Sequence, residues 1–298
     1  MPLVRRASRL PDMRVGRIPY INCYPVYGAI DRGVVALEGS LVDGVPSALN
    51  ARMASGDLDV SVISAVEYAR QASRYLLLPD LAISCDGPVR SVLLFSRRPA
   101  EELEGQRVLL SRSSMTSVAL LRLLFEHVWR ASPEFAAGDA ELSDVSRFHD
   151  EPHAARLVIG DAALLLGATH IADERHDGTQ THPRYPYVYD LGAEWKQWTG
   201  LPFVFAVWVA QRTTPVAAAL GVHARLIESR DWGLAHLDAL ASQASAATGI
   251  AKRVCGEFLS GLDYGLSWSH LAGLTDFFRR LADAGQVPNG SLSFLPAA

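Results

Sequence analysis

Cysteine is scarce and unpatterned in this chain. Its 298 residues include three, Cys23, Cys85 and Cys255, with no C-x-x-C or zinc-type spacing. That excludes a disulfide framework and a zinc-ribbon site, and it fits free thiols in a reducing cytoplasm. Basic charge is not in excess either. The net charge of −4 gives no electrostatic case for nucleic acid, which favours a basic stripe. An anionic small ligand stays open, because backbone N–H groups bind one locally. No apolar run reaches the roughly 18 residues a membrane span needs. The first thirteen residues, MPLVRRASRLPDM, are basic but lack an apolar stretch after Arg5, Arg6 and Arg9; they read as a tail ahead of the first strand, not as a secretory signal. Internal repeats, low-complexity tracts, long heptads and the motifs H-E-x-x-H, P-loop, G-x-G-x-x-G and G-x-S-x-G are all absent.

Hydrophobic residues make up 49% of the chain and charged ones 20%, enough for a sizeable core and too apolar for global disorder. Two apolar runs organise it. One is Phe203 to Val209, inside DLGAEWKQWTGLPFVFAVW (190–208), entered through Gly200–Leu201–Pro202. The other, Ser91 to Ser96, follows the turn-rich Ser84-Cys-Asp-Gly-Pro88. Runs of this kind read as buried strands, and two of them far apart point to paired crossings between two α/β lobes. Before the first crossing, strands over 14–20, 39–42 and 58–63 alternate with helices over 23–30, 46–55 and 64–71, the rhythm of a parallel sheet covered by helices. Further strands are expected over 76–84, 89–96, 107–110, 157–160 and 188–191, and a strongly apolar helix over 118–130. Residues 131–153 look irregular, 172–186 loop-like, and everything after Pro215 helical. The expected division is 14–92 plus 208–298 for lobe one and 93–207 for lobe two, with an interlobe cleft, where small molecules are held.

The strongest local signal is Ser113-Ser-Met-Thr-Ser117 between a strand and a helix. Hydroxyls at a helix start cap exposed N–H groups, and the same groups bind carboxylate or phosphate; plain capping and ligand binding by Ser114, Thr116 and Ser117 are both open. Three more loops stand at the equivalent strand end, where open sheets bind ligands: Pro19 to Cys23, Ile63 to Ala65, and Ile159 to Asp161. Within them Asn22 is either a ligand-orienting amide or a turn residue. Ser64 looks like an N-cap, Gly160 allows close backbone approach, and Asp161 is an N-cap or a polar site group. Arg90 reads as a structural ion pair or a partner for an anionic substrate. His149, His153, His170, His176 and His182 read as solvated loop residues, and Cys85 beside Asp86 has no evident histidine partner.

Several stretches together are more specific. Arg17-Ile-Pro-Tyr-Ile-Asn-Cys23, Val45-Pro-Ser-Ala-Leu-Asn50, Asp59 to Ala69, Ser84 to Phe95, Thr116 to Arg122 and 190–208 resemble the chorismate dehydratase family over about 14–295. The resemblance implies a two-lobe α/β fold of the type II periplasmic-binding-protein kind. It also implies conversion of chorismate to 3-[(1-carboxyvinyl)oxy]benzoate, the first step of the futalosine route to menaquinone, with no metal or organic cofactor. Asn22 and Ser91 match positions of that family's active site; Ser64, Thr116 and Ser117 match its substrate-contacting loops. A sister enzyme, 1,4-dihydroxy-6-naphthoate synthase, carries a catalytic histidine near the loop occupied here by Gly160–Asp161, and no histidine stands at 159–162. For the proton acceptor, Asp161, Glu67 and the substrate's own enolpyruvyl carboxylate stay open. A non-catalytic binder of small anions is the alternative from another class.

Overall fold

The structure is a computed structural model that describes residues 12–138, 152–174 (backbone only for 170–174) and 185–296. The N-terminal tail to residue 11, and His149, His176 and His182, lie outside the described residues.

Ten strands form two five-stranded sheets, one per lobe. The first contains β1 (Met13–Arg17), β2 (Gly39–Asp43), β3 (Val60–Ser64), β4 (Tyr75–Cys85) and β10 (Phe203–Gln211), in the order β2-β1-β3-β10-β4. The second contains β5 (Val92–Ser96), β6 (Arg107–Ser111), β7 (Glu134–Gly138), β8 (Ala155–Ile159) and β9 (Tyr187–Asp190), in the order β7-β6-β8-β5-β9. Both sheets are mixed: β1 runs parallel to β2 and β3, as their alternation with helices implies, whereas β10 runs antiparallel to β3 and β4, and β5 antiparallel to β8 and β9. In each sheet the antiparallel strand is one of the two apolar runs. Those runs do not pair with each other. β10 lies inside the first sheet, with Phe203 opposite Cys85 and Ala206 opposite Ser64, so the return crossing falls at 200–202, ahead of the expected boundary.

The helices are α1 (Tyr24–Asp31), α2 (Pro46–Ser55), α3 (Ala65–Arg70), α4 (Met115–Leu124), α5 (Gly160–Glu174), α6 (Leu191–Thr199), α7 (Val216–Ala235), α8 (Leu237–Thr248), α9 (Lys252–Ser260) and α10 (Trp268–Asp283). Sequence signals account for many ends. Proline occupies the first turn of α1 and α2, and Gly56 and Gly200 close α2 and α6 in the left-handed conformation, where only glycine carries no Cβ penalty. α4 starts earlier than expected, because Ser114 caps it, and passes into a π-helical turn over Phe125–Trp129 that stops at Arg130 (φ 54°). β7 was not anticipated: its sequence EFAAG is short and half exposed at a sheet edge, so it has neither the alternation nor the apolar run that marks a strand.

The C-terminal helices pack on the first lobe. A Cβ on Gly233 of α7 would fall 2.2 Å from Pro25 O, and one on Gly273 of α10 2.0 Å from Pro202 O, so both helices approach backbone too closely for any side chain. Trp195, Phe203 and Phe277 stack edge to face under α10, with centroids 4.9–5.9 Å apart. In the middle of the first sheet, buried Trp208 donates to Tyr27 Oη (2.9 Å), which donates to Gly16 O (3.0 Å). One carboxylate ties the outward link to the start of α6. Asp190 accepts the N–H groups of Val89 (2.9 Å) and Arg90 (2.6 Å) on the outward link and of Gly192 (2.9 Å) and Ala193 (3.1 Å) at the start of α6. Burial pushes its pKa up in spite of these donors.

Candidate active site

The seam between the lobes is built where parallel strands end. β1 runs into the 3-10 turn Ile21–Cys23, β3 into α3, β6 into α4 and β8 into α5; carboxyl ends of strands are where open α/β sheets hold ligands. These ends flank a narrow cleft. Its polar lining includes Asn22, Ser64, Ser91, Ser114 and Ser117, with Gly160 and Tyr20 at one wall and Ile18, Ile83, Phe205 and Ala206 among its apolar surfaces. Among the described residues that line it there is no Asp, Glu, His, Lys or Arg.

The lobes meet directly here. Ile21 N–H donates to Asp161 Oδ1 (3.1 Å), Val66 N–H to Thr116 Oγ1 (3.3 Å), Ser47 N–H to Ser113 O (3.1 Å), and Asn50 Nδ2 to Met115 Sδ (3.1 Å). Gly160 (φ 62°) lets the Tyr20 ring come within 3.0 Å of where a Cβ would stand. Each bond joins a first-lobe element to a second-lobe element and holds the two lobes together beside the cleft.

Six of the nine site residues read from the sequence line this cleft: Asn22, Ser64, Ser91, Ser114, Ser117 and Gly160. Asn22 Oδ1 is buried with no hydrogen-bond partner among the described residues. Ser91 is 4% exposed, and its backbone carbonyl accepts the Gly160 N–H at 2.8 Å, which fixes the junction of β5 with β8. Ser114 caps α4, accepting Ser117 N–H (3.2 Å) and donating to Ser117 Oγ (2.9 Å). Ser64 stands at the N-cap position of α3 but makes no capping bond. Its hydroxyl accepts from Asn50 Nδ2 at 3.0 Å, and Thr116, from the other lobe, takes the α3 N–H instead.

The other three lie elsewhere. Thr116 is 1% exposed, turned to Val66. Asp161 is not an N-cap; it sits in the first turn of α5 and reaches Ile21. Arg90, in the left-handed conformation at φ 60°, points its guanidinium to Glu257 at 3.6 Å. It lines a wider, neighbouring cavity with Tyr187, Asp190 and Arg253; that cavity is larger, but it lies away from the convergent strand ends. Cys85 and Cys23 are buried and their thiols pushed well up, mainly by burial, which makes neither a ready nucleophile. His153 is not solvated: it is 7% exposed, its Nε2 2.6 Å from Tyr185 Oη. Among the described residues no group of three His, Cys, Asp or Glu is placed to hold a metal, and no helix is long and apolar enough to cross a membrane.

Residues 13–283 match the model of a protein family described as Menaquinone biosynthesis. The chain belongs to this family. A chorismate dehydratase of Thermus thermophilus is 32% identical over 268 residues, 88% of this chain and 95% of that relative. Among solved structures, protein AF1704 from Archaeoglobus fulgidus superposes with a TM-score of 0.74 at 19% identity, covering 95% of this chain and all of that one (100%). The Candida albicans CA3427 gene product, described as having the generic periplasmic binding protein fold, gives a TM-score of 0.63 at 12% identity over 95% of this chain and 92% of its own. These structural likenesses establish the fold: two α/β lobes of the periplasmic-binding-protein kind. Sequence reading missed one buried polar residue that bonds a side chain of the cleft, Asn50, the partner of Ser64. Its signal is an amide on the same helix face as buried Leu49 and Met53, where a polar group needs a partner.

Proposed function

We propose that the chain is a chorismate dehydratase that converts chorismate to 3-[(1-carboxyvinyl)oxy]benzoate and water in the cytoplasm, without metal or organic cofactor. The observation that carries this reading is the uncharged, hydroxyl-rich cleft at the strand ends of both lobes, lined by Asn22, whose buried Oδ1 has no hydrogen-bond partner among the described residues. The 32% identical chorismate dehydratase supports it. Chorismate brings two carboxylates. Hydroxyls and first-turn N–H groups receive them without a cationic side chain, as pre-set donors receive developing charge in a water-poor site.

Elimination moves the C3 proton to a base, turns the C3–H electron pair into the C3–C4 double bond, and expels the C4 hydroxyl, which leaves as water. Aromatisation supplies the driving force, so the site needs to orient the ring and manage one proton. Of the three acceptors open at the start, two are engaged elsewhere. Asp161 holds Ile21 N–H. Glu67 receives Tyr75 Oη at 3.2 Å, and neither lines the cleft. That favours the substrate's enolpyruvyl carboxylate as base. Asn22 then holds the C4 hydroxyl, and Ser91 relays a proton to the departing oxygen. Against the sister activity, no histidine stands at 159–162, and a Cβ at Gly160, held at a φ of 62°, would press on the Tyr20 ring at 3.0 Å.

The test is direct. Purified protein incubated with chorismate should form the aromatic enol ether, read by chromatography and ultraviolet absorbance; chorismate recovered unchanged refutes the proposal.

A further inference from the structure

Asn50 sits on the buried face of α2, 3% exposed, with no place in the chemistry above. Its amide is fully used. Oδ1 accepts the Ser64 backbone N–H at 3.0 Å, while Nδ2 donates to Ser64 Oγ at 3.0 Å and to Met115 Sδ at 3.1 Å. The Ser64 N–H can only donate, so it orients the amide, oxygen toward itself and nitrogen toward Oγ. A hydroxyl has one proton to give. Ser64 Oγ already receives a hydrogen from Asn50, so its own proton turns elsewhere, and the open direction is the cleft that Ser64 lines. The second lobe repeats the arrangement. Ser114 gives its proton to Ser117 Oγ, and Ser117, also on the cleft, is left to donate into it.

We infer that Asn50 is a positioning residue that sets the Ser64 hydroxyl as a hydrogen-bond donor, so that one donor from each lobe faces an acceptor-only group of the substrate, a carboxylate oxygen. The inference rests on the reading of the cleft as a dicarboxylate site. Asn50 has no hydrogen left for substrate, so it acts through Ser64. Its bond to Met115 reaches the first residue of α4 in the other lobe and exists only while the lobes are together; closure therefore completes the network that aims the donor. A ligand group that can only donate meets a donor here, which makes the pair a specificity device as well as an anchor.

The test compares Asn50→Asp in two backgrounds, wild type and Ser64→Ala. The introduced carboxylate still accepts the Ser64 N–H but has no hydrogen to give, so the Ser64 proton turns back to it. At about pH 8, kcat/KM for chorismate should fall roughly tenfold to a hundredfold, mostly through KM. As the pH is lowered toward about 5, the buried carboxyl gains a proton, donates again, and activity relative to wild type recovers. In the Ser64→Ala background the same substitution should cost less than about threefold, with no pH dependence. Asn50→Ala leaves the Ser64 proton unconstrained; it should cost less than Asn50→Asp, again nothing without Ser64, and it carries the test should Asn50→Asp fail to fold. Equal losses in both backgrounds at every pH mean that Asn50 is structural, and a pH-dependent loss that persists without Ser64 means that charge alone acts; either overturns the inference. A wild-type protein that binds chorismate without converting it refutes the proposed activity, and the same ratios are then read as Kd. Absence of binding overturns both.

Discussion

Removing the Asn22 amide should separate activity from stability. Oδ1 of Asn22 is buried with no hydrogen-bond partner among the described residues, and leaving such a group unsatisfied costs a folded protein about 1–3 kcal/mol. Asn22→Ala abolishes that cost and gives up packing worth about 0.8 kcal/mol per buried methylene. The two nearly cancel, so urea melts should place the variant within about 1 kcal/mol of wild type, or slightly above it. Turnover should behave differently. If the amide holds the C4 hydroxyl as it leaves, its loss resembles deletion of one pre-set hydrogen-bonding group in an active site and should lower kcat about 10²- to 10³-fold. Asn22→Asp should be at least as damaging, because it places an unpaired negative charge beside a dianion. Both variants are measured for chorismate turnover and for denaturant midpoint under the same buffer conditions. A drop of more than about 2 kcal/mol in stability, with kcat unchanged in the folded fraction, would show that Asn22 is a turn residue and refute the reasoning.

Thr116 and Ser117, adjacent in sequence, should part company. Thr116→Val orphans the Val66 N–H across the lobes and should lower stability by about 1–3 kcal/mol, whereas Ser117→Ala should raise KM with little change in the melt; a reversed pattern would contradict the placement. Gly192→Ala should destabilise by about 1–3 kcal/mol or more, since its Cβ would fall 2.6 Å from Gly87 O and 2.7 Å from Cys85 Sγ on the outward crossing; a melting temperature unchanged from wild type would count against that contact. The Arg14 hydrogen bonds hold the Asp59 carboxyl below its ordinary range. The pair's contribution is therefore present above the unfolded value near pH 4 and lost as the pH falls through the folded one. Asp59→Asn should flatten the acid limb of a melting-temperature profile, and an unaltered limb would show that the pair is not coupled to folding.

The fold was legible where burial writes itself into the chain. Phe203–Gln211 and Val92–Ser96 are apolar because each is a buried strand flanked by a neighbour on either side of its sheet, and Pro46 and Gly56 mark the ends of α2 as local backbone rules require. Pairing was not legible. Nothing in the Phe203–Gln211 run says whether its partner is β4, far upstream in the chain, or the other run of the same character, and only the closed sheet decides. β7 escaped for the opposite reason, since an edge strand of small residues is held by ladder bonds to β6 that any sequence can make.

The site was legible as a set of loops but not as a division of labour among their hydroxyls. Ser64, Ser114, Thr116 and Ser117 all read alike, as residues that cap a helix or touch a ligand. The roles follow from which N–H each one faces, and those partners lie in the other lobe or on another helix. Thr116 serves α3 of the opposite lobe; Ser64, the expected cap, is released from that duty and held by Asn50. Charge misled in the same way. Arg90, Asp161 and Glu67 drew attention as ionisable groups near an anion site, yet each is placed against a protein partner. On the proposed reading, a cleft for a dianion that excludes charged side chains avoids the cost of desolvating them. It leaves recognition to neutral donors whose protons are aimed by a second layer of bonds, and that layer, of which Asn50 is the clearest member, is invisible until the two lobes are brought together.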